Sequence, residues 1–269
     1  MKFSICTPTY YNKEAPENVR QPRYEMFLRC ANSVAGQTFR DFEWVIADDI
    51  CVPKVTREML PASISEVNIV RLPEKSGRIV GRNQAMKASN GDWICWLDAD
   101  DEYASIYLEA IDKATKAYPD FKVFNMNHLV YSYDFHTSVR KFLDLETIGD
   151  RPFGSGTIGA GAYVFHRSVY EAIGPIPELG LWDFAKNALD EFPEIKPFFW
   201  VEDKQSYNSL GNPWGEDYYY FYKMTRKFKS KYLDTALYLV HSHYGHRFKE
   251  DPDYELGEDK KPEWNPNLK

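Results

Sequence analysis

A chain of 269 residues, of which 43% are hydrophobic and 27% charged, fits one large α/β domain or at most two small ones. Its net charge of −7 disfavours bulk nucleic acid as a partner, because duplex binding depends on phosphate neutralisation by a basic face. No segment approaches the roughly 18 consecutive apolar residues of a membrane helix, and the start, MKFSICTPTYYN, has too short an apolar run for a signal peptide.

Short apolar runs alternate with helical patterns through the first part of the chain. Strands are predicted at residues 3–6, 42–47, 67–72 and 93–97. Apolar residues at helical spacing over 24–34 predict a helix, and a second is predicted from about Gly81 to Ala88. This alternation is typical of a parallel α/β sheet, in which the continuous apolar run WICWL forms a buried central strand.

The remaining part of the chain is less regular. A helix is predicted at 106–118 and a strand at 121–130. The segment RPFGSGTIGAGAYVFHRSVYEAIG predicts a glycine-rich loop followed by a strand and a short helix. WGEDYYYFYKMTRK predicts a loop that enters a helix, and LDTALYLVHSHYGHR predicts a last strand ending in histidines.

The four cysteines, Cys6, Cys30, Cys51 and Cys95, form no CxxC pair and have no metal-ligand spacing. We expect them to be buried free thiols in a reducing compartment. The protein is therefore expected to be cytoplasmic, with peripheral membrane contact left open.

Two predicted strands end in acidic groups. Asp48 and Asp49 follow the second strand, and Asp98-Ala99-Asp100-Asp101 follows WICWL. Ligands of open α/β sheets bind beyond the carboxyl ends of the strands, so we expect both groups at one edge. Carboxylates there suit Mg²⁺ or Mn²⁺, which bridge carboxylates to a diphosphate. The alternative is structural, since aspartates also stabilise turns and the first turns of helices.

Five segments, in their order along the chain, resemble family 2 glycosyltransferases. ICTPTYYN, GQTFRDFEWVIADD and GRIVGRNQAMKASNGDWICWLDADD are similar to the nucleotide-binding half of that family over about residues 3–103. GTIGAGAYVFHRSVYEAIGPIPE and GEDYYYFYKMTR resemble its acceptor-side glycine segment and its acidic ED motif. The resemblance implies an inverting enzyme with the GT-A fold, a Rossmann-like, mixed and mostly parallel sheet flanked by helices.

The same resemblance implies the partners and the organisation of the chain. The donor is a nucleotide sugar, by family frequency a UDP-sugar, and the acceptor is a saccharide, a lipid-linked sugar or a protein. We expect one GT-A domain over residues 1–247, divided into a nucleotide-sugar half at about 1–103 and an acceptor half at about 104–247. Residues 248–269 are expected to form a charged tail.

Donor-site residues are implied position by position. Thr9 and Tyr11 line the base pocket, with Pro8 shaping the turn; Asp49 binds the base with support from Asp48; Arg78 lies near the base or diphosphate; and Arg82 and Asn83 lie at a helix start beside it. Asp98, with Ala99 next to it, approaches the ribose or the metal, and Asp100 is the principal ligand of Mn²⁺ or Mg²⁺.

Asp217, with Glu216 beside it, is implied to be the general base. An inverting transfer is a single in-line displacement, in which a carboxylate takes the proton of the acceptor hydroxyl while the diphosphate leaves from the opposite face. The alternative is that Glu216 and Asp217 simply stabilise the first turn of the helix that follows them.

Two features depart from a simple inverting assignment. The family usually has Gly-Ser after the acidic pair, whereas Ile50-Cys51-Val52 stands here. His241 and His243 share one face of the last strand and are candidate metal ligands, as in retaining GT-A families, or else surface or acceptor-site residues.

Three other functions therefore stay open. They are a retaining GT-A enzyme, a catalytically inactive sugar-nucleotide-binding scaffold and a nucleotidyltransferase. The last needs a glycine-rich loop after the first strand, and TPTYYNKEAPENVR has no glycine.

Overall fold

The computed structural model describes residues 2–13, 17–132, 137–140, 163–179, 187, 190–192, 200–201, 206–207 and 216–242. The strands are β1 (Phe3–Thr9), β2 (Phe42–Asp48), β3 (Glu66–Arg71), β4 (Trp93–Trp96), β5 (Glu102–Tyr103), β6 (Val123–Ser132), β7 (Thr137–Arg140), β8 (Val164–His166), β9 (Trp200–Val201), β10 (Ser206–Tyr207) and β11 (Ser230–Ser242). The helices are α1 (Glu17–Ala35), α2 (Gly77–Ala88), α3 (Tyr107–Ala117), α4 (Arg167–Ile173) and α5 (Glu216–Lys227), with a 3₁₀ turn at Arg57–Met59.

The main sheet has the strand order β3-β2-β1-β4-β8-β6-β11-β5, with β7 on the side of β6. The strands β3, β2, β1 and β4 are parallel. Strand β8 is antiparallel to both β4 and β6, whereas β11 is parallel to β6 and antiparallel to the short β5. The predicted mixed α/β sheet is therefore confirmed, and β4 lies inside it as predicted for WICWL.

Helices cover both faces of this sheet. Strand β4 shows the alternation that separates the faces, since Trp93 and Cys95 belong to one hydrophobic cluster and Ile94 and Trp96 to the other. The first cluster contains apolar residues of α1 and α3, and the second contains those of α2, α4 and α5. This explains why WICWL is apolar on both of its faces.

Helix α2 begins at Gly77, four residues before the predicted start. The sequence gives no local capping signal there, because the side chain of Ser76 makes no capping hydrogen bond. The cap comes instead from Asp49, whose carboxylate accepts the backbone N–H groups of Ser76 and Gly77. A cap supplied from a distant strand end leaves no pattern in the helix sequence.

Two further expectations concern the whole chain. All four cysteines are buried and unpaired, as predicted. Among the described helices, none combines the length and the hydropathy that crossing a bilayer requires.

Gly91 lies where the turn after α2 meets the first strand. A Cβ atom on Gly91 would lie 2.6 Å from Oγ of Ser4 and 2.7 Å from backbone atoms of Phe3 and Ser4, which cannot move without distorting β1. We expect Gly91→Ala to lower the free energy of unfolding by about 1–3 kcal/mol in urea denaturation. Gly36→Ala is the control, since its nearest neighbour is 3.3 Å away; equal losses in both variants would contradict this account.

Candidate active site

The carboxyl ends of β1, β2 and β4 lie at one edge of the sheet, which we call the carboxyl edge, because β1 pairs in parallel with both neighbours. Asp48 ends β2, and the segment from Asp98 to Asp101 follows β4. Side chains from the first turns of α2 and α5 meet at the same edge, where Arg78 contacts Glu216. The structure thus brings the two acidic strand ends and the ED motif together.

The side chain of Asp48 fixes the loop after β2 through hydrogen bonds. It is fully buried, and its carboxylate accepts the N–H of Cys51 at 2.7 Å and the N–H of Val55 at 2.9 Å. Arg71 also donates to it from Nη1 at 2.7 Å. These contacts fit the supporting role that the resemblance implies for Asp48.

Asp49 lies at the positive end of the α2 dipole. Its Oδ1 and Oδ2 accept the N–H groups of Ser76 at 2.7 Å and Gly77 at 2.8 Å. Each carboxylate oxygen keeps a second lone pair, which a ligand N–H can use. The helix cap therefore orients the carboxylate, and Asp49 is 4% exposed at this edge.

Pro8 and Thr9 end β1 directly beside this pair. A Cβ atom on Gly81 would lie 2.9 Å from Cβ of Pro8, so the absence of a side chain at Gly81 lets α2 approach the strand. The carbonyl of Thr9 accepts the N–H of Asp49 at 2.9 Å. Within the described residues, Oγ1 of Thr9 is buried and has no hydrogen-bond partner.

Tyr11, which the resemblance implies to line the base pocket, has no exposed surface in this structure. It is fully buried, and its ring packs against Tyr24 at 5.1 Å and Phe27 at 5.6 Å between centroids. Burial raises its pKa far above the usual tyrosine value. Tyr11 is a core residue of the α1 face.

Tyr10, the preceding residue, is the partly exposed member of the pair. The ammonium of Lys75 lies 4.6 Å and the guanidinium of Arg23 5.7 Å from the centroid of its ring. Sequence reasoning missed Tyr10 because two adjacent tyrosines give no signal as to which one turns inward. Both cations lie over the ring, so this corner of the carboxyl edge combines an aromatic side chain with the positive charge that suits the phosphates of a nucleotide.

Arg82 is the buried centre of a charge network that comprises Arg78, Arg82, Asp98 and Glu216, in which Arg82 and Glu216 are buried and Arg78 is largely exposed. The guanidinium of Arg82 donates from Nη2 to Asp98 at 2.5 Å and from Nη1 to Glu216 at 3.0 Å. It also lies 5.0 Å from the ring of Trp96. Arg78 approaches Glu216 with Nε at 2.6 Å and Nη2 at 2.9 Å. One arginine therefore connects the segment after β4 to the ED motif.

The electrostatics favour the charged form of both arginines of this network. Burial disfavours the charge of Arg82, but Asp98 and Glu216 outweigh that effect and raise its pKa. Partial burial opposes the charge of Arg78, whose side chain is 63% exposed, but Glu216 outweighs this effect and raises its pKa. Asp217 adds to the rise at both arginines, so its carboxylate lies within their electrostatic range. Glu216 is 2% exposed and Asp217 is partly exposed.

Asn83 has a different position from the one expected. It lies in the middle of α2, not at its start, because the helix begins at Gly77. Its amide donates to the carbonyl of Ile176 at 2.8 Å and accepts the N–H of Ile176 at 2.9 Å. Asn83 thus fixes the segment after α4 against α2.

The acidic segment after β4 presents two carboxylates that suit a divalent cation. Desolvation and the negative charge of Asp98 raise the pKa of Asp100, a repulsion that a bound cation would relieve. Asp101 is instead buried and accepts from Tyr238 at 2.9 Å, and Ala99 packs against the first hydrophobic cluster. No group of three or more ligand-type side chains is preformed within the described residues. Mg²⁺ characteristically uses one or two carboxylates plus substrate phosphates, so the fit requires no such cage.

His241 lies beside this segment but faces a different carboxylate. Its Nε2 is 2.6 Å from Oε1 of Glu102, and its ring stacks on Tyr131 with centroids 5.2 Å apart. The backbone N–H of His241 donates to Asp101 at 3.0 Å. The predicted ligand role of His241 thus competes with its contact to Glu102, and His243 lies outside the described residues.

Comparisons with known proteins show what this chain is similar to in sequence and in fold. The family model described as "Glycosyl transferase family 2" matches residues 4–172, which is more than half of the chain. The teichuronic acid biosynthesis glycosyltransferase TuaG of Bacillus subtilis (strain 168) is 31% identical over 109 residues, which are 39% of this chain and 38% of TuaG.

Solved structures show the same fold at lower identity. TarS of S. aureus matches with a TM-score of 0.58 and 16% identity over 90% of this chain and 37% of TarS. Its 1–349 fragment in complex with UDP-GlcNAc matches with a TM-score of 0.58 and 17% identity over 90% of this chain and 59% of the fragment.

A mannosyltransferase of Pyrobaculum calidifontis, PcManGT, was solved in complex with GDP-Man and Mn²⁺. It matches with a TM-score of 0.50 and 13% identity over 88% of this chain and 56% of that protein. The chain thus spans less than two thirds of the length of each of these relatives. The structural matches establish the GT-A fold.

Proposed function

Since the chain belongs to glycosyl transferase family 2, we propose that it transfers a sugar from a nucleoside diphosphate to an acceptor hydroxyl. The observation that supports this most directly is the contact of Arg82 with both Asp98 and Glu216. Donor-side and acceptor-side carboxylates then meet at one edge of the sheet, as a single displacement between two bound substrates requires.

The donor is a UDP-sugar in this proposal. Asp49 accepts a hydrogen bond from the base. The ring of Tyr10, in place of that of Tyr11, stacks on the base. Lys75 and Arg23, which flank the Tyr10 ring, add the positive charge that phosphates need. The TarS fragment that binds UDP-GlcNAc supports the choice of uracil, and TuaG supports a saccharide acceptor.

Asp98 and Asp100 would hold Mn²⁺ or Mg²⁺ together with the diphosphate. When bound, the ion neutralises the negative charge that develops on the departing diphosphate. Arg82 holds the Asp98 carboxylate in position through its 2.5 Å contact. The PcManGT complex with Mn²⁺ supports a metal in this fold.

Asp217 is the proposed general base of an inverting transfer. Glu216 is buried against Arg78 and Arg82, whereas Asp217 is partly exposed and therefore accessible to an acceptor. Asp217 takes the proton from the acceptor hydroxyl as that oxygen attacks the anomeric carbon. A retaining enzyme on the same donor site is the second candidate, and the position of His241 beside the acidic segment after β4, where its backbone N–H donates to Asp101, is the observation that favours it.

Calorimetric titration of UDP, dTDP and GDP, with and without Mn²⁺, tests the donor site. We expect one nucleotide to bind tightly with Mn²⁺ and at least tenfold more weakly without it, because an ion held by Asp98 and Asp100 would neutralise the charge of the diphosphate. Asp100→Asn should lose most of the Mn²⁺-dependent affinity, a loss of about tenfold or more for one charged ligand.

Asp120→Asn is the matched control, since Asp120 is an exposed carboxylate in the turn before β6, away from the carboxyl edge. It should bind the nucleotide as the wild type does. If no nucleotide binds to the wild type with or without Mn²⁺, the donor-site proposal fails and the inactive scaffold becomes the better reading.

A further inference from the structure

Ile50 adopts a backbone conformation that branched residues avoid. Its φ is +55°, in the left-handed region, where a side chain branched at Cβ crowds the backbone. Glycine and asparagine enter this region at little cost, whereas isoleucine is an outlier there. Strain of this kind persists only where the surrounding structure imposes it.

Contacts on both sides of Ile50 impose the conformation. The N–H of Asp49 donates to the carbonyl of Thr9, and the N–H of Val52 donates to the carbonyl of Tyr11, each at 2.9 Å. The N–H of Cys51 donates to the carboxylate of Asp48 at 2.7 Å. The loop therefore has a fixed path at Ile50, and any residue at this position must accept a positive φ.

Core packing does not explain why that residue is isoleucine. Ile50 is partly exposed, and among the described residues it belongs to neither of the two hydrophobic clusters nor to the partly buried residues that pack against them. An aliphatic side chain thus takes a strained position at the carboxyl edge without completing a core.

The location indicates what the side chain does. Ile50 follows Asp49 directly, and the hydrogen bonds of Asp49 and Val52 run the loop alongside residues 9–11, which include Tyr10. We propose that Ile50 is a specificity-determining residue whose side chain packs on the nucleobase of the donor. The inference rests on the proposed nucleotide site. A branched side chain narrows that site and favours a single pyrimidine ring over a purine.

Ile50→Gly tests this proposal, because it separates stability from binding. Relief of backbone strain should maintain or raise the Tm, whereas loss of the side chain should weaken UDP binding. Thermal unfolding should give a Tm equal to or above that of the wild type, since glycine accepts the positive φ. Calorimetry with Mn²⁺ should show UDP binding weakened about tenfold through lost apolar contact. The affinity for GDP should fall by a smaller factor, so that the preference for UDP over GDP decreases. Ile50→Val, which keeps an aliphatic branch, should bind UDP within about threefold of the wild type.

Two outcomes overturn the proposal while the donor site stands. One is an Ile50→Gly variant that binds UDP as tightly as the wild type, which makes Ile50 a strained residue with no ligand role. The other is a fall in Tm in that variant, which assigns the side chain to loop stability. A wild type that binds neither UDP nor GDP overturns the proposed function itself.

Discussion

Asp217→Asn is expected to lower kcat by about 10²- to 10⁴-fold, the usual contribution of a positioned general base. The carboxamide keeps the size of the side chain but cannot take the proton of the acceptor hydroxyl. The Kd for UDP in the presence of Mn²⁺ and the Tm should stay near the wild-type values, since Asp217 is partly exposed at the start of α5. Release of UDP from the donor sugar, followed with saturating donor, measures the loss.

Glu216→Gln, at the adjacent position, is the comparison that separates a structural role from a catalytic one. Glu216 is 2% exposed and is the partner of both Arg78 and Arg82, so a neutral amide leaves two guanidinium groups without their shared carboxylate. We therefore expect a lower Tm from Glu216→Gln and not from Asp217→Asn. An Asp217→Asn variant that keeps the wild-type kcat would exclude Asp217 as the base and favour the retaining mechanism.

The pattern of apolar residues predicted most of the α/β sheet, because the burial of each strand is visible in its own sequence. Strand β4 is apolar on both faces since it packs against helices on both sides, and the run WICWL shows this directly. The acidic strand ends were equally readable, because Asp48 and Asp98 stand where apolar runs stop. Strand β5 was missed, since two residues, Glu102 and Tyr103, give no period to read.

The parts of the site that were misread depend on partners distant in sequence. Asn83 carries a family pattern but serves the backbone of Ile176, 93 residues away. Helix α2 starts early because Asp49 caps it from another strand end. The choice between Tyr10 and Tyr11 is made by the path of the loop after β1. Tertiary contacts of this kind override local patterns.

Arg82→Met is expected to lower the free energy of unfolding by about 3–5 kcal/mol in urea denaturation. Methionine fills part of the volume but leaves the buried Glu216 and the adjacent Asp98 without the charge that both share. Arg78→Met is the control, because the Arg78 side chain is 63% exposed and exposed pairs contribute about 0–1 kcal/mol. Equal losses in the two variants would contradict a central role for the buried Arg82.

The double variant Arg82→Met/Glu216→Leu separates stability from function. Apolar residues of similar volume can replace a buried ion pair at little cost, so we expect the double variant to recover much of the stability that Arg82→Met loses. Asp98 then lacks the guanidinium that positions it, and UDP binding with Mn²⁺ should stay weak. Recovery of stability without recovery of UDP affinity would mean that the buried charges of the network serve the donor site. Recovery of both stability and UDP affinity would mean that Arg82 stabilises the fold and has no role in donor binding.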